Sequence, residues 1–255
     1  MNIESSLNDV LGTLLSNYNK STITAEELIH VIDLTLLDES ASSESLSRLR
    51  QDARCNEVAA VCVYSKHLPE FHQLNSIQLA TVVNFPHGNE NVRDCIEAIE
   101  KAIQLGATEI DYVLPYRLYI DENKQEALNQ CQSIIDACKR NKLTSKIILE
   151  TGFFPKLESI YEVSHSLIEL GCDFLKTSTG KIAHGASLPA VFTMLSAIND
   201  TGGTCGLKVS GGVKTTVQAF NYAKLAELMM AKRIDKNWFR IGASTLLSEL
   251  VSNIP

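Results

Sequence analysis

The strongest constraint on the fold of this chain is its rhythm. Eight short runs with strand character alternate with longer segments from end to end, with no Pro/Ser/Gly linker or low-complexity tract between them. The runs are Val31–Leu36, Val58–Tyr64, Leu79–Phe85, Glu109–Pro115, Lys146–Glu150, Asp173–Thr177, Gly206–Ser210 and Phe239–Gly242. Helical spacing is clearest after His87-Gly88-Asn89, where Val92, Cys95, Ile96, Ile99, Ala102 and Ile103 recur at three- and four-residue steps until Gly106. Gln125–Arg140, Leu157–Leu170, Ser187–Asn199 and Thr215–Lys232 follow the same rule, and Gly171 closes one of them. Alternation of this kind predicts parallel α/β architecture. Eight strands predict a closed (β/α)8 barrel of the TIM type, with its active site at the C-terminal ends of the strands. A length of 255 residues suits one such barrel, so a single domain over 1–255 is expected. Residues Ile3–Asn17 read as an extra amphipathic N-terminal helix packed on the barrel end. The competing fold, a doubly wound open sheet, needs a GxGxxG turn after an early strand, and the sequence has none.

Charge and cysteine usage narrow the function classes. Lys and Arg total 23 against 30 Asp and Glu, a net charge of −7. A nucleic-acid footprint needs a basic surface to displace counterions, so no nucleic-acid partner is expected. Apolar runs such as Val58–Tyr64 fall far short of the about 20 residues that span a bilayer. Met1–Ser21 also lacks the apolar core of a secretory signal, so no membrane partner and a cytoplasmic location are expected. The seven cysteines (55, 62, 95, 131, 138, 172 and 205) are odd in number and form no CxxC pair. They fit a reducing compartment and give no metal or redox spacing. Cys131 and Cys138, seven apart on one helix face, read as small buried hydrophobes.

Chemistry is carried by charges inside strands. Asp173-Phe-Leu-Lys-Thr-Ser-Thr-Gly-Lys181 puts Lys176 in an apolar strand, with Phe174 and Ser178 on its face and Leu175 and Thr177 on the other. If that face is the barrel interior, burial disfavours the ammonium and makes the lysine a nucleophile. If Lys176 lies near the strand end instead, it snorkels its charge to water. Gly206-Leu-Lys-Val-Ser-Gly-Gly212 repeats the arrangement, with Lys208 on the next strand. Repulsion between two such cations depresses the pKa of the better desolvated one. Asp111, in Glu109-Ile-Asp-Tyr-Val-Leu-Pro-Tyr-Arg117, and Asp33, in Val31-Ile-Asp-Leu-Thr-Leu-Leu37, are strand carboxylates that need partners. Facing inward, they would pair with Lys208 and act as general acid or base. The alternative is a buried ion pair without chemistry.

Glycine-containing turns follow the last three strands at Gly180-Lys181, Ser210-Gly211-Gly212 and Gly242-Ala-Ser-Thr245. Backbone N–H groups in such turns approach anions, and barrels often hold phosphate after strands seven and eight. Strand-to-helix turns use glycine in any case, so it is their placement that favours a phosphate site.

With these residues in view, the sequence resembles the deoxyribose-phosphate aldolase family from about Asp33 to Leu247. Lys176-Thr-Ser-Thr-Gly-Lys181 is similar to the family's Schiff-base segment, and Thr81-Val-Val-Asn-Phe-Pro-His-Gly88 to its third strand and turn. Glu109–Arg117 is similar to its catalytic-aspartate strand. Gly206–Gly212 and Phe239-Arg-Ile-Gly-Ala-Ser244 match strands seven and eight. The resemblance implies a class I barrel aldolase that reversibly cleaves 2-deoxy-D-ribose 5-phosphate into D-glyceraldehyde 3-phosphate and acetaldehyde, with no metal or other cofactor. It implies Lys176 as the imine-forming lysine, Asp111 and Lys208 as proton carriers and Asp33 as the support of Lys208. It implies Thr179, Gly180, Lys181, Gly211, Gly212, Lys214, Gly242, Ser244 and Thr245 as substrate- and phosphate-holding positions. The partners implied are a phosphorylated sugar and small aldehydes, with a homodimer as the assembly to test.

Three details qualify the match. Thr245 keeps a hydroxyl where a second serine is frequent, and Lys214 puts a point charge where an arginine fork is common. Val251-Ser-Asn-Ile-Pro255 lacks the terminal tyrosine with which some members reach the site. His87 is read as supporting its turn, and Cys62 as a buried, inert thiol. The alternatives are another lysine-dependent barrel aldolase or transaldolase on a related phosphorylated aldehyde, and a silent barrel that binds a sugar phosphate. The presence of every expected catalytic residue type argues against the silent barrel.

Overall fold

The computed structural model describes residues 3–16 and 22–252. Its eight parallel strands close into one barrel in sequence order. They are β1 (Ile32–Leu36), β2 (Ala60–Val63), β3 (Gln78–Val83), β4 (Glu109–Val113), β5 (Thr144–Ile148), β6 (Phe174–Lys176), β7 (Gly206–Ser210) and β8 (Phe239–Ala243). Closure is made by β8 on β1, with Asp33 opposite Gly242. The strand period of two sorts the side chains. In β7, Leu207 and Val209 join the hydrophobic core while Lys208 between them joins a buried charge network.

Helices α3 (Ser43–Asn56), α4 (Val92–Gln104), α5 (Lys124–Arg140), α6 (Leu157–Glu169), α7 (Leu188–Asp200), α8 (Thr216–Met230) and α9 (Leu246–Ser252) follow β1, β3, β4, β5, β6, β7 and β8. Apart from α7, each buries one stripe. In α4, Asn91 caps the N–H groups of Arg93 and Asp94, and Cys95, Ile99 and Ala102 form the buried face. Burying a side chain such as Ile99 contributes roughly 1.5–3 kcal/mol, and Ile99→Ala would cost about 2–5 kcal/mol. After β2 the chain makes only a 3-10 turn, Ser65–Phe71. Pro69 inside it removes the N–H that an α-helix needs.

The N-terminal helix α1 (Ile3–Ser16) forms as expected but lies elsewhere; Asn17 is outside the described residues. It packs against α7 and α8 on the flank of the barrel, not on its end. The reason lies in α7, where Ala190 through Ile198 are all buried. A helix buried on every side needs a cover on its outer face, and α1, whose buried residues are Ile3, Leu7 and Leu14, supplies part of it. A short helix the sequence reading did not anticipate, α2 (Ala25–Ile29), starts on a Thr24–Glu27 capping box and packs against α8 and α9. No helix among the described residues is long and apolar enough to cross a membrane.

Candidate active site

The barrel axis holds a cluster of buried charges centred on Asp111. Its Oδ2 lies 2.7 Å from Nζ of Lys176 and 2.7 Å from Nζ of Lys208, and its Oδ1 lies 2.8 Å from Nζ of Lys146. Asp33 pairs with Lys208 at 2.5 Å and with Arg240 at 2.6 Å. Glu109 bridges Lys146 at 2.5 Å and Arg240 at 3.3 Å. The strands make this meeting unavoidable: Lys176, Lys208 and Arg240 stand in lateral register on β6, β7 and β8, as do Asp111 and Lys146 on β4 and β5. Gly242 leaves the room that Lys208 fills, since a Cβ there would come within 3.0 Å of Lys208 Cε. Lys176 does not snorkel; it is 3 % exposed.

The electrostatics distinguish the lysines. Burial acts most strongly on all three and disfavours their charge. For Lys176, burial and the Lys208 charge together outweigh Asp111, and its pKa falls below the ordinary lysine value. For Lys208, Asp111 and Asp33 outweigh burial, and its pKa rises. Lys146 also rises, through Asp111 and Glu109. This corrects the expectation that the better desolvated lysine is the depressed one. Lys208 is 0 % exposed, yet it keeps its proton because two carboxylates flank it. Burial also works against the charge of Asp111, but Lys146, Lys176 and Lys208 hold its carboxyl well below the usual range. The formal count agrees. Asp33, Glu109 and Asp111 balance Lys146, Lys208 and Arg240, three against three, when Lys176 is neutral.

Lys176 opens into a cavity of about 320 Å³ at the C-terminal ends of the strands. Of the residues expected to hold phosphate, Thr179, Gly180, Lys181, Gly211, Gly212, Lys214, Gly242 and Ser244 line it, and Thr245 does not. Thr245 follows Ser244 out of the cavity and stands just before α9, where its carbonyl accepts from Ser248. Several groups at these positions are already engaged. The Thr179 hydroxyl binds Glu150, the Lys181 N–H donates to Thr179 Oγ1 at 3.1 Å, the Lys181 ammonium donates to Leu37 O at 3.3 Å, and the Lys214 N–H donates to Gln218 Oε1 at 2.9 Å. A larger cavity, about 490 Å³, opens at the opposite end beside Gln78, Thr144 and Asp173. It meets the charge cluster only through Glu109 and Arg240, and Lys176 does not reach it, so the smaller cavity is the one with access to the nucleophile. Cys172 and Cys205 line that far cavity with sulfurs 3.8 Å apart; their shared hydrogen bond and burial push the Cys172 thiol up.

Three members of the cluster, Lys146, Glu109 and Arg240, are not among the site residues that the sequence points to. Each is a charge inside a strand, the same signal that marked Lys176 and Lys208. His87 is exposed, and its turn is held instead by Asn84, which donates to Val113 O at 2.8 Å and accepts from Glu90 N–H at 2.7 Å. Cys62 is buried beside Ala80 and Val82, and burial pushes its thiol up.

Fold and cluster together define a barrel enzyme with ionisable groups at the mouth of its strands. The chain belongs to the family described as DeoC/LacD family aldolase, whose model matches residues 28–247; it is an aldolase, an enzyme of the lyase class. Solved structures agree on the fold. A deoxyribose phosphate aldolase from Aeropyrum pernix, described as tetrameric, is 23% identical with a TM-score of 0.76, covering 96% of this chain and 97% of its own. A provisionally named deoxyribose-phosphate aldolase from Coccidioides immitis is 23% identical with a TM-score of 0.78, covering 98% of both chains. A protein described as QR15, an aldolase, is 23% identical with a TM-score of 0.75, covering 88% and 96%.

Proposed function

We propose that this aldolase reversibly splits 2-deoxy-D-ribose 5-phosphate into D-glyceraldehyde 3-phosphate and acetaldehyde through a Schiff base on Lys176. The observation that carries the reading is the shared oxygen of Asp111, 2.7 Å from the amines of both Lys176 and Lys208. One amine is biased to lose its proton, the other to keep it, and a single carboxylate oxygen lies between them.

The amine of Lys176 adds to the aldehyde carbon C1. Lys208 and Asp111 deliver a proton to the departing hydroxyl, water leaves, and an iminium forms. The iminium accepts the electrons of the C2–C3 bond as the C3 hydroxyl gives its proton to the relay. D-glyceraldehyde 3-phosphate departs, and the enamine of acetaldehyde stays on Lys176. Protonation at C2 and hydrolysis release acetaldehyde and restore the amine. Asp33 and Arg240 hold Lys208 in place, and the turns at Gly180-Lys181, Gly211-Gly212 and Ser244 receive the phosphate. The names of the Aeropyrum and Coccidioides proteins support the substrate. The reading includes a cytoplasmic location and a homodimer, testable by fractionation and sedimentation.

The test is borohydride reduction with acetaldehyde or deoxyribose 5-phosphate, followed by mass mapping. One adduct on Lys176 is expected. An adduct on Lys208 with unmodified Lys176 overturns the assignment of the nucleophile. An active enzyme that traps nothing overturns the Schiff-base route, and trapping without cleavage of deoxyribose 5-phosphate favours a related aldolase or transaldolase.

A further inference from the structure

The turn after β5 grips the loop after β6 with three consecutive residues, Glu150, Thr151 and Gly152. Thr151 donates its N–H to Thr177 O at 2.9 Å, and its hydroxyl lies 3.4 Å from that of Ser178. Glu150 takes both polar groups of Thr179: the N–H donates to Oε1 at 3.3 Å, and the hydroxyl donates to Oε2. Gly152 lies so close to His184 that a Cβ on it would stand 2.0 Å from the His184 carbonyl oxygen. The loop held in this way begins one residue past Lys176 and includes the cavity-lining turn at Gly180-Lys181.

Glu150 is the member whose identity the bend does not explain. Its backbone is left-handed, with φ 60° and ψ 57°, a conformation that glycine adopts without penalty and a glutamate does not. Its side chain is 0 % exposed. Burial pushes its carboxyl up from the ordinary value, against the hydrogen bonds from Thr179 and the charge of Lys176. A turn that needed only the bend would be served better by glycine. What the carboxylate adds is an orientation. With its hydrogen committed to Glu150, Thr179 Oγ1 presents a lone pair to the Lys181 N–H at 3.1 Å, and a relay from Lys181 through Thr179 to Glu150 fixes the turn.

We propose that Glu150 is a positioning residue for the anion-binding end of the substrate. Through Thr179 it sets the shape of the turn at Gly180-Lys181, and so governs affinity for the phosphorylated substrate more than the rate of the carbon–carbon step. The proposal rests on the phosphorylated substrate assigned above.

The test is steady-state cleavage of deoxyribose 5-phosphate and of unphosphorylated deoxyribose by wild type, Glu150→Gln, Glu150→Ala, Thr179→Val and the double variant Glu150→Ala/Thr179→Val, with circular dichroism to check folding. KM for the phosphorylated sugar is expected to rise about ten-fold or more in Glu150→Ala and in Thr179→Val, the scale of a lost charge-assisted contact. The rise for deoxyribose should be much smaller. The double variant should be no worse than the worse single one, because both break the same relay. Glu150→Gln keeps an acceptor for the Thr179 N–H and should fall between wild type and Glu150→Ala. Equal losses on both sugars, losses that multiply in the double variant, or a fall in kcat at constant KM overturn the proposal. If Glu150→Ala does not fold, Glu150→Gln decides the matter, because it keeps the side chain's volume and loses its charge; an unchanged KM for the phosphorylated sugar then overturns the proposal. Acetaldehyde trapping on Lys176 involves no phosphate and separates the two readings. No trapping in wild type defeats the proposed function, whereas normal trapping with unchanged KM in the variants defeats only the role of Glu150.

Discussion

The inner wall of the barrel has two unlike halves. On β2 and β3 it is small and apolar, with Cys62, Ala80 and Val82 in one cluster against Leu37, Tyr64 and Phe85. On β1 and β4 through β8 it carries Asp33, Glu109, Asp111, Lys146, Lys176, Lys208 and Arg240, all buried. The first half offers no counter-charge and little room for water, which strengthens every interaction in the second. The contrast shows that a dry wall does not by itself select a nucleophile. Lys146, Lys176 and Lys208 are all buried, yet only Lys176 moves below the ordinary lysine pKa, because it has a single carboxylate partner where the others have two or more.

Substitutions in the two halves break or sharpen this contrast. The largest effect is expected from Lys176→Ala, which should cost about 10³-fold or more in turnover. It should leave chemical stability nearly intact, because the three-against-three charge count survives. A large fall in the urea midpoint would mean that Lys176 carries a structural charge. Next is Lys146→Met, which removes a cation facing Asp111 and Glu109. A loss of about 3–5 kcal/mol in unfolding free energy is expected, since buried carboxylates are left short of partners. A loss near zero would remove Lys146 from the charge balance.

Lys208→Leu tests the electrostatic link. Lys208 lowers the pKa of Lys176 and also neutralises Asp111, which raises it, so its removal acts twice in one direction. The neutral amine then becomes scarce at neutral pH, and borohydride-trapped imine should return only as pH climbs toward the free-lysine value of about 10.4. Trapping at neutral pH with slow turnover would make Lys208 a proton carrier alone. The smallest effect belongs to the apolar half: Cys62→Ala should change turnover by less than about ten-fold, because its thiol is held neutral by burial. A change as large as that of Lys208→Leu would end the distinction between the halves.

How much of this was legible depended on where a charge fell within its strand. Lys176, Lys208, Asp111 and Asp33 stood inside runs whose ends were placed nearly correctly, so their burial was readable. Lys146 opens its apolar run in the sequence, where an exposed charge is ordinary, but β5 begins two residues earlier at Thr144. Glu109 and Arg240, the first and second residues of β4 and β8, were hidden by the same ambiguity. Helix α3 escaped because its sequence, SESLSRLRQDARCN, is polar and buries only Leu46 and Ala53. The Glu150–Thr179 contact had no sequence signal, since it joins residues 29 apart through a left-handed turn.

The balanced charge count bears on the carbon as well as on the nitrogen. In the proposed reaction, condensation turns neutral Lys176 into an iminium with a proton drawn from the Lys208 relay, so the positive charge moves from β7 to β6 and the wall's total is unchanged. Lys208, flanked by Asp111 and Asp33, is where that charge is best held, and displacing it in a desolvated barrel is costly. The resting arrangement returns when the iminium hydrolyses, or when it becomes an enamine as a proton passes back to the relay, taken from C2 itself or from the C3 hydroxyl as the aldehyde fragment departs. The wall therefore raises the acidity of a carbon that none of its side chains needs to touch, and the bond that breaks is chosen by the demand of the whole cluster for one electron pair at Lys176.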